Sequence, residues 1–266
     1  MSKAFQRMTS KRETSTRYLV PMMIGLCCLY SRMVYSQKIS NHNSDIRLIC
    51  ISDTHNGYKS LTKQLIDLYQ SEKDILIHAG DMTDRGSMDE LNDINDWFGK
   101  LPYKYKIVIS GNMDGIGLDN HNLNGYKIFT NAIYLQHETF TIQEIGLKIF
   151  ASPYTPQFVG GFQLYSDKES EEKWKDIPTD TDVLITHGPP YHVLDSTSRG
   201  KSIGDNMLWN QLNHRIRPKA MVFGHVHASF GTQQVNGVQY VNAAQFNGIY
   251  SGDKSVRPVV VNINLD

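Results

Sequence analysis

The sequence predicts an α/β fold: a two-sheet β core flanked by helices. Three observations lead there. From residue 46 onward, short β-rich runs alternate with helical stretches, which covers a sheet with helices. In the middle of the chain, three β-rich runs follow one another with little room for helices, which asks for antiparallel pairing. The composition, 40% apolar and 20% charged over 266 residues, suits one sizeable core.

The first 37 residues stand apart from that pattern. Lys3, Arg7, Lys11, Arg12 and Arg17 precede an apolar run over 18–30 that is broken by Pro21 and Gly25. Val34 and Ser36 then set small residues before Gln37. A basic head, a short apolar stretch and small residues form the pattern of a signal peptide or signal anchor. The run falls short of the roughly 20 residues of a membrane span. The alternatives are a disordered basic leader, or an organellar presequence in which Glu13 is the only acid. As a signal it would send the chain to the secretory pathway or anchor it to a membrane; otherwise the chain is cytoplasmic. Residues 38–45 read as a polar linker, and 46–266 as the folded domain.

Within the domain, residues 46–51 form a continuous apolar strand and 59–70 a helix. A buried strand over 74–78 leads to a helix over 87–100, which Ser87 opens with Glu90 three residues on. Residues 106–110 are the next strand. The runs over 132–135, 138–144 and 147–151 are the antiparallel strands. A Pro- and Gly-rich loop spans 152–165, followed by a short helix over 170–175, a strand over 182–186 and a helix over 206–215. Strands over 220–223, 238–242 and 256–263 finish the chain.

Charge and cysteine usage limit the chemistry. The 27 basic and 27 acidic residues cancel, so no nucleic-acid polymer is indicated as a partner. Cys27, Cys28 and Cys50 build neither a disulfide framework nor a metal knuckle. Any metal must be held by oxygen and imidazole. Five motifs supply both, each at the end of a predicted strand, where α/β folds build their sites. They are Ser52-Asp53-Thr54-His55, Gly80-Asp81-Met82-Thr83-Asp84-Arg85-Gly86, Gly111-Asn112-Met113-Asp114, Thr186-His187-Gly188 and Gly224-His225-Val226-His227. Two acids, an amide and four imidazoles suit manganese, iron or zinc. Two such divalent ions sharing a carboxylate can activate a water between them and polarise a phosphoryl oxygen. Each motif alone is weak, and an Asp-x-His is more often plain surface loop. The ordered set of five is specific.

That order resembles the calcineurin-like metallophosphoesterase superfamily over about residues 46–263. Asp96-Trp97-Phe98-Gly99, the stretch from Leu101 to Ile109, and Ile185-Thr186-His187-Gly188-Pro189-Pro190 are similar to the metallophosphoesterase-domain-containing subfamily. Its members are weak metal-dependent phosphodiesterases. The resemblance implies a four-layer αββα sandwich, with Asp53, His55 and His227 binding one metal ion and Asn112, His187 and His225 the other. Asp81 would bridge them. Asp84, Arg85 and Asp114 would support catalysis, Arg85 by pairing with a substrate phosphate.

One position departs from the superfamily. Many members have His where this chain has Met113, and a thioether donates no proton. General-acid help of roughly 10²–10⁴-fold is then missing, and Asp84 loses the partner it has in related phosphatases. His121 is a candidate substitute. The expected activity is slow hydrolysis of a small phosphoester, a cyclic-nucleotide-like diester above all. The rival expectation is a protein-binding scaffold on the same fold. His78 reads as a core histidine, His137 as a surface residue, and Phe158, Phe162 and Tyr165 as aromatics of the Gly-rich loop.

Overall fold

The computed structural model describes residues 46–253 and 256–265, so the leader over 1–37 and the linker over 38–45 lie outside the described residues. Its first half runs β1 (Ile46–Ile51), α1 (Thr62–Leu68), β2 (Ile75–His78), α2 (Met88–Phe98), β3 (Tyr105–Val108), α3 (Gly125–Ile128) and β4 (Ile133–Tyr134). The hairpin β5 (Glu138–Ile142) and β6 (Leu147–Ser152) follows, then the short pair β7 (Thr155–Pro156) and β8 (Gln163–Leu164). The second half runs α4 (Asp167–Trp174), β9 (Val183–Thr186), α5 (Asn206–His214), β10 (Ala220–Phe223), β11 (Gly231–Val235), β12 (Val238–Asn242), α6 (Phe246–Ser251) and β13 (Val259–Ile263).

One sheet has the order β13-β1-β2-β3-β4 and the other β11-β12-β10-β9-β6-β5. In the first, β1 to β4 are parallel and β13 closes one edge antiparallel. In the second, β6, β9, β10 and β12 are parallel, with β5 and β11 antiparallel at the edges. Alternation along each strand decides the layering, because successive side chains leave opposite faces. Leu48, Cys50, Ile75, Ile77 and Ile107 face Ile149, Ile185, Val222 and Val241 of the other sheet. Their neighbours Ile49, Ile51, Leu76 and Val108 turn outward onto Leu65 of α1 and Leu91, Ile94, Trp97 and Phe98 of α2. Leu184, Met221, Phe223 and Tyr240 do the same for Trp174 of α4 and Leu208 and Leu212 of α5. The result is the expected four-layer αββα sandwich. Among the described residues no helix is long and apolar enough to cross a membrane.

Local signals explain most of the helix ends. Ser87 and Glu90 form a complete capping box at α2, a contact whose loss by Ser87→Ala would cost about 1 kcal/mol. Ser166 and Asp205 cap α4 and α5 through their side chains. Two expectations fail. The run at 132–135 does not join the antiparallel strands; β4 pairs parallel to β3, and Leu135 N–H donates to the Val108 carbonyl at 3.0 Å. The chain changes sheets just afterward, at His137, whose φ is +59°. Nor is His137 an ordinary surface residue. Its ring nitrogens meet Ser152 Oγ at 3.0 Å and Asp176 at 3.1 Å, and the ring packs among Phe150, Tyr154 and Trp174.

His78 is the core histidine the sequence predicts. It is fully buried at the end of β2, with Nε2 at 3.0 Å from Thr54 Oγ1. Burial drives its pKa from 6.5 down to about 3. The folded state therefore keeps this ring neutral while the unfolded chain takes up a proton below pH 6.5. Its contribution to stability is present above pH 6.5 and is lost as pH falls toward 3, by an upper bound of about 4–5 kcal/mol. Urea unfolding between pH 7 and 4 should show a shallower acid decline in His78→Leu, in which Thr54 keeps the Met82 carbonyl as its acceptor. An unchanged slope would remove His78 from the acid response.

Candidate metal centre

Every predicted ligand sits where a strand ends, and the loops are shaped to turn it inward. Asp53, His55, Asp81 and His225 have φ values of +51°, +42°, +50° and +66°. Side-chain-bearing residues pay about 1 kcal/mol or more for that conformation. Four such residues in one place mark a site whose geometry was selected over local comfort. Glycine makes the close approaches possible. A Cβ on Gly224 would lie 1.9 Å from Asp53 Oδ2, and one on Gly111 would lie 2.2 Å from Asp81 Oδ1.

The structure brings all seven residues together. Asp53, His55 and His227 offer donor atoms within 4.8 Å of one another, and so do Asp81, His187 and His225. Asn112 joins the second group, its Oδ1 lying 3.0 Å from His187 Nε2 and 2.9 Å from His225 Nδ1. Asp81 Oδ2 stands between the groups, 3.7 Å from His55 Nε2 and 3.5 Å from His187 Nε2. The backbone fixes the carboxylates: His225 N–H donates to both oxygens of Asp53, and Met113 N–H to Asp81 Oδ1 at 2.8 Å. His187 Nδ1 faces the Ala79 carbonyl at 2.9 Å. A proton on Nδ1 leaves Nε2 as a lone pair aimed into the pocket.

The electrostatics suit cations. Burial would raise the Asp53 and Asp81 carboxyls, but His227 and His187 for the first, and His187 for the second, outweigh it and hold both below the ordinary range. Both are therefore ionised at neutral pH. Burial works against a charged His187 too, yet Asp81 and Asp53 pull its pKa up to about 9. The carboxylates that draw a proton onto this imidazole would equally draw a divalent ion, which binds by displacing that proton. His225, beside His187, is pushed down to about 4 by burial and that neighbouring charge, which keeps it neutral. His55 Nε2 is buried without a hydrogen-bond partner. An orphaned imidazole nitrogen among ionised carboxylates fits a metal ligand.

The three supporting residues divide. Asp84 Oδ1 lies 3.2 Å from His55 Nδ1, so it does have an imidazole partner, though not at position 113. Arg85 is exposed beside it. Asp114 is buried, and its carboxylate is fully engaged by protein donors: Oδ1 accepts from Thr83 N–H and Oγ1, and Oδ2 from Met82 N–H and Gly111 N–H. It ties the Asp81 loop to the Asn112 loop. Burial and the nearby Asp81 charge raise its pKa to about 6. The four donors leave no room for a proton, so the ionised form is the one the loops require. His121 is exposed at the end of a short π-helical turn and meets no residue of the site. His192 packs on Tyr191 and Trp209.

Sequence reasoning singled out Phe158 but missed the rest of the aromatic rim. Phe246 of α6 stacks on His227 with centroids 4.7 Å apart and meets His55 edge-on at 4.9 Å, and Tyr250 packs on Phe246. Phe158, 71% exposed, stands edge-on to His225 at 5.7 Å. Gly161 N–H holds that loop to the Asn112 carbonyl at 2.9 Å. Phe246 carried no local signal, because only the return of the chain past β12 brings it to the site.

Asp114→Asn tests the tie between loops. An amide NH₂ would face backbone donors, so the variant should lose about 2–4 kcal/mol of unfolding free energy. Chemical denaturation without metal measures it, and a full-stability variant would return Asp114 to the chemistry.

A model of the calcineurin-like phosphoesterase family matches residues 46–229. Metallophosphoesterase domain-containing protein 1 of Homo sapiens is 36% identical over 223 residues, covering 74% of this chain and 65% of that protein, so the chain spans a little under two thirds of that relative's length. The UPF0046 protein K07C11.7 of Caenorhabditis elegans is 36% identical over 233 residues, covering 81% of this chain and 74% of that protein. Phosphopantetheinyl hydrolase (PptH) from Mycobacterium tuberculosis superposes with a TM-score of 0.55 at 16% identity, over 81% of this chain and 96% of that one. TT1561 of Thermus thermophilus gives 0.55 at 10% identity, over 83% and 99%. At such identities these two share the fold alone. Since the family match runs from the first residue of β1 through the loop carrying His225 and His227, the chain belongs to the calcineurin-like phosphoesterase family.

Proposed function

We propose that residues 46–266 form a two-metal phosphoester hydrolase acting on a small ester. The observation that carries this reading is the position of Asp81 Oδ2 between His55 Nε2 and His187 Nε2, one carboxylate oxygen common to two ligand groups. Asp53, His55 and His227 would hold one divalent ion, and Asn112, His187 and His225 the other, with Asp81 shared. When bound, the pair supplies Lewis acidity toward a phosphoryl oxygen and lowers the pKa of a coordinated water. The chain itself supplies ionised, buried carboxylates, imidazoles in fixed orientations and a neutral amide oxygen.

The leaving group receives less help. Met113 offers no proton, and Asp84 is engaged with His55. Arg85, exposed next to Asp84 in the sequence, would meet a substrate phosphate by pairing with it. Slow turnover follows, favouring esters whose leaving groups depart without protonation. The rim of Phe158, Phe246 and Tyr250 gives the flat organic part of such an ester an apolar surface, which supports an aryl ester or cyclic nucleotide. Met113 also favours a second reading, a scaffold that keeps the fold with negligible turnover.

One assay separates the two readings. With manganese and bis-p-nitrophenyl phosphate, the wild-type chain should turn over slowly, Asp81→Ala and His225→Ala should lose at least about 10²-fold, and Met113→His should gain on monoesters. Stoichiometric metal uptake with no hydrolysis of any ester would establish the scaffold instead.

A further inference from the structure

Two ligand imidazoles in this site are held from behind in different ways. His187 points Nδ1 at a backbone carbonyl, that of Ala79. His55 has no carbonyl in that position. Its Nδ1 meets the carboxylate of Asp84 at 3.2 Å, while its Nε2 is buried, unpartnered and turned toward Asp81. The ring's other neighbours are the edges and faces of His227 and Phe246, which fix no tautomer. Without an acceptor at Nδ1 the proton would be free to sit on either nitrogen, and half of the ring's use as a ligand would be lost.

We propose that Asp84 is the positioning residue of His55: it accepts the Nδ1 proton, and so keeps the Nε2 lone pair directed at the first ion site. The proposal rests on the metal-centre reading above. A further set of contacts holds Asp84 itself. Its Oδ2 accepts from Asn56 Nδ2 at 3.0 Å, and the same amide donates to Glu90 Oε1 at 2.7 Å. Glu90 Oε2 in turn accepts from Ser87 N–H at 3.0 Å. The first turn of α2 is thus linked through Glu90, Asn56 and Asp84 to His55. The capping box that starts the helix also aims a ligand, and a carboxylate that loses its usual partner at position 113 gains a different role. Carboxylates behind metal-bound imidazoles raise the ring's basicity as well as orienting it.

The two ligand groups give an internal control, because only His55 depends on Asp84. Metal-stripped full-length protein should be titrated with Mn²⁺ in competition with a chelator. Asp84→Ala should weaken one of the two binding steps by about 10–100-fold and leave the other unchanged. Asp84→Asn keeps an acceptor for the Nδ1 proton and should recover most of that loss. The thermal midpoint of metal-free protein should be the same in all three chains, since the Asp84 side chain is half-exposed. Equal affinities in wild type and Asp84→Ala would overturn the proposal. So would Asp84→Asn binding as weakly as Asp84→Ala, or a lowered metal-free midpoint accompanying loss at both sites. A wild-type chain that takes up no ion would refute the metal centre itself, a separate result that removes the proposal with it.

Discussion

Asp53 and Asp81 place two ionised carboxylates in one pocket, with exposures of 0% and 3%. Buried charges of like sign cost several kcal/mol each unless positive charge lies close by. The imidazoles lie close enough to carry that charge or to share a cation, with His187 Nε2 3.5 Å from Asp81 Oδ2 and His227 Nε2 3.1 Å from Asp53 Oδ1. The surrounding structure follows from the need to bring cation-binding groups together around two buried carboxylates. A pocket organised this way is unfavourable without cations and favourable with them. Affinity for metal is therefore tied to the stability of the fold.

Meeting that need shapes the loops. Parallel strands deliver their carboxyl ends to one edge of the sandwich, but an ordinary turn would aim the side chains outward. Left-handed conformations at Asp53, His55, Asp81 and His225 aim them inward, and Gly111 and Gly224 clear the space in which the carboxylates lie. Asp114 then locks two of these loops together through four donors. The local cost is offset by the three apolar layers beneath, in which β1, β2, β9 and β10 are buried on both faces.

The residues that meet in the pocket were legible because their signal is local. A continuous apolar run marks each buried parallel strand, and a polar residue at its end, three times preceded by glycine, has few reasons to be there other than a site. Asp53, Asp81, Asn112, His187 and His225 all follow that rule. Interactions that depend on return of the chain were not legible. Nothing near Ile133 says that β4 belongs to the first sheet, and nothing in Phe246 predicts that it stacks on His227. The strand β11 went unpredicted, although the Asn236-Gly237 turn that folds it back on β12, with φ values of +50° and +82°, carries a hairpin signal. The partner of Asp84 could not be read, since its contact with His55 spans two strand ends that only the sheet brings together.

Anomalous X-ray diffraction from crystals grown with Mn²⁺ shows most directly where cations sit. Two peaks are predicted, one among Asp53, His55 and His227 and one among Asn112, His187 and His225, each within bonding distance of Asp81. A single peak, or peaks that leave Asp81 uncoordinated, would contradict the account.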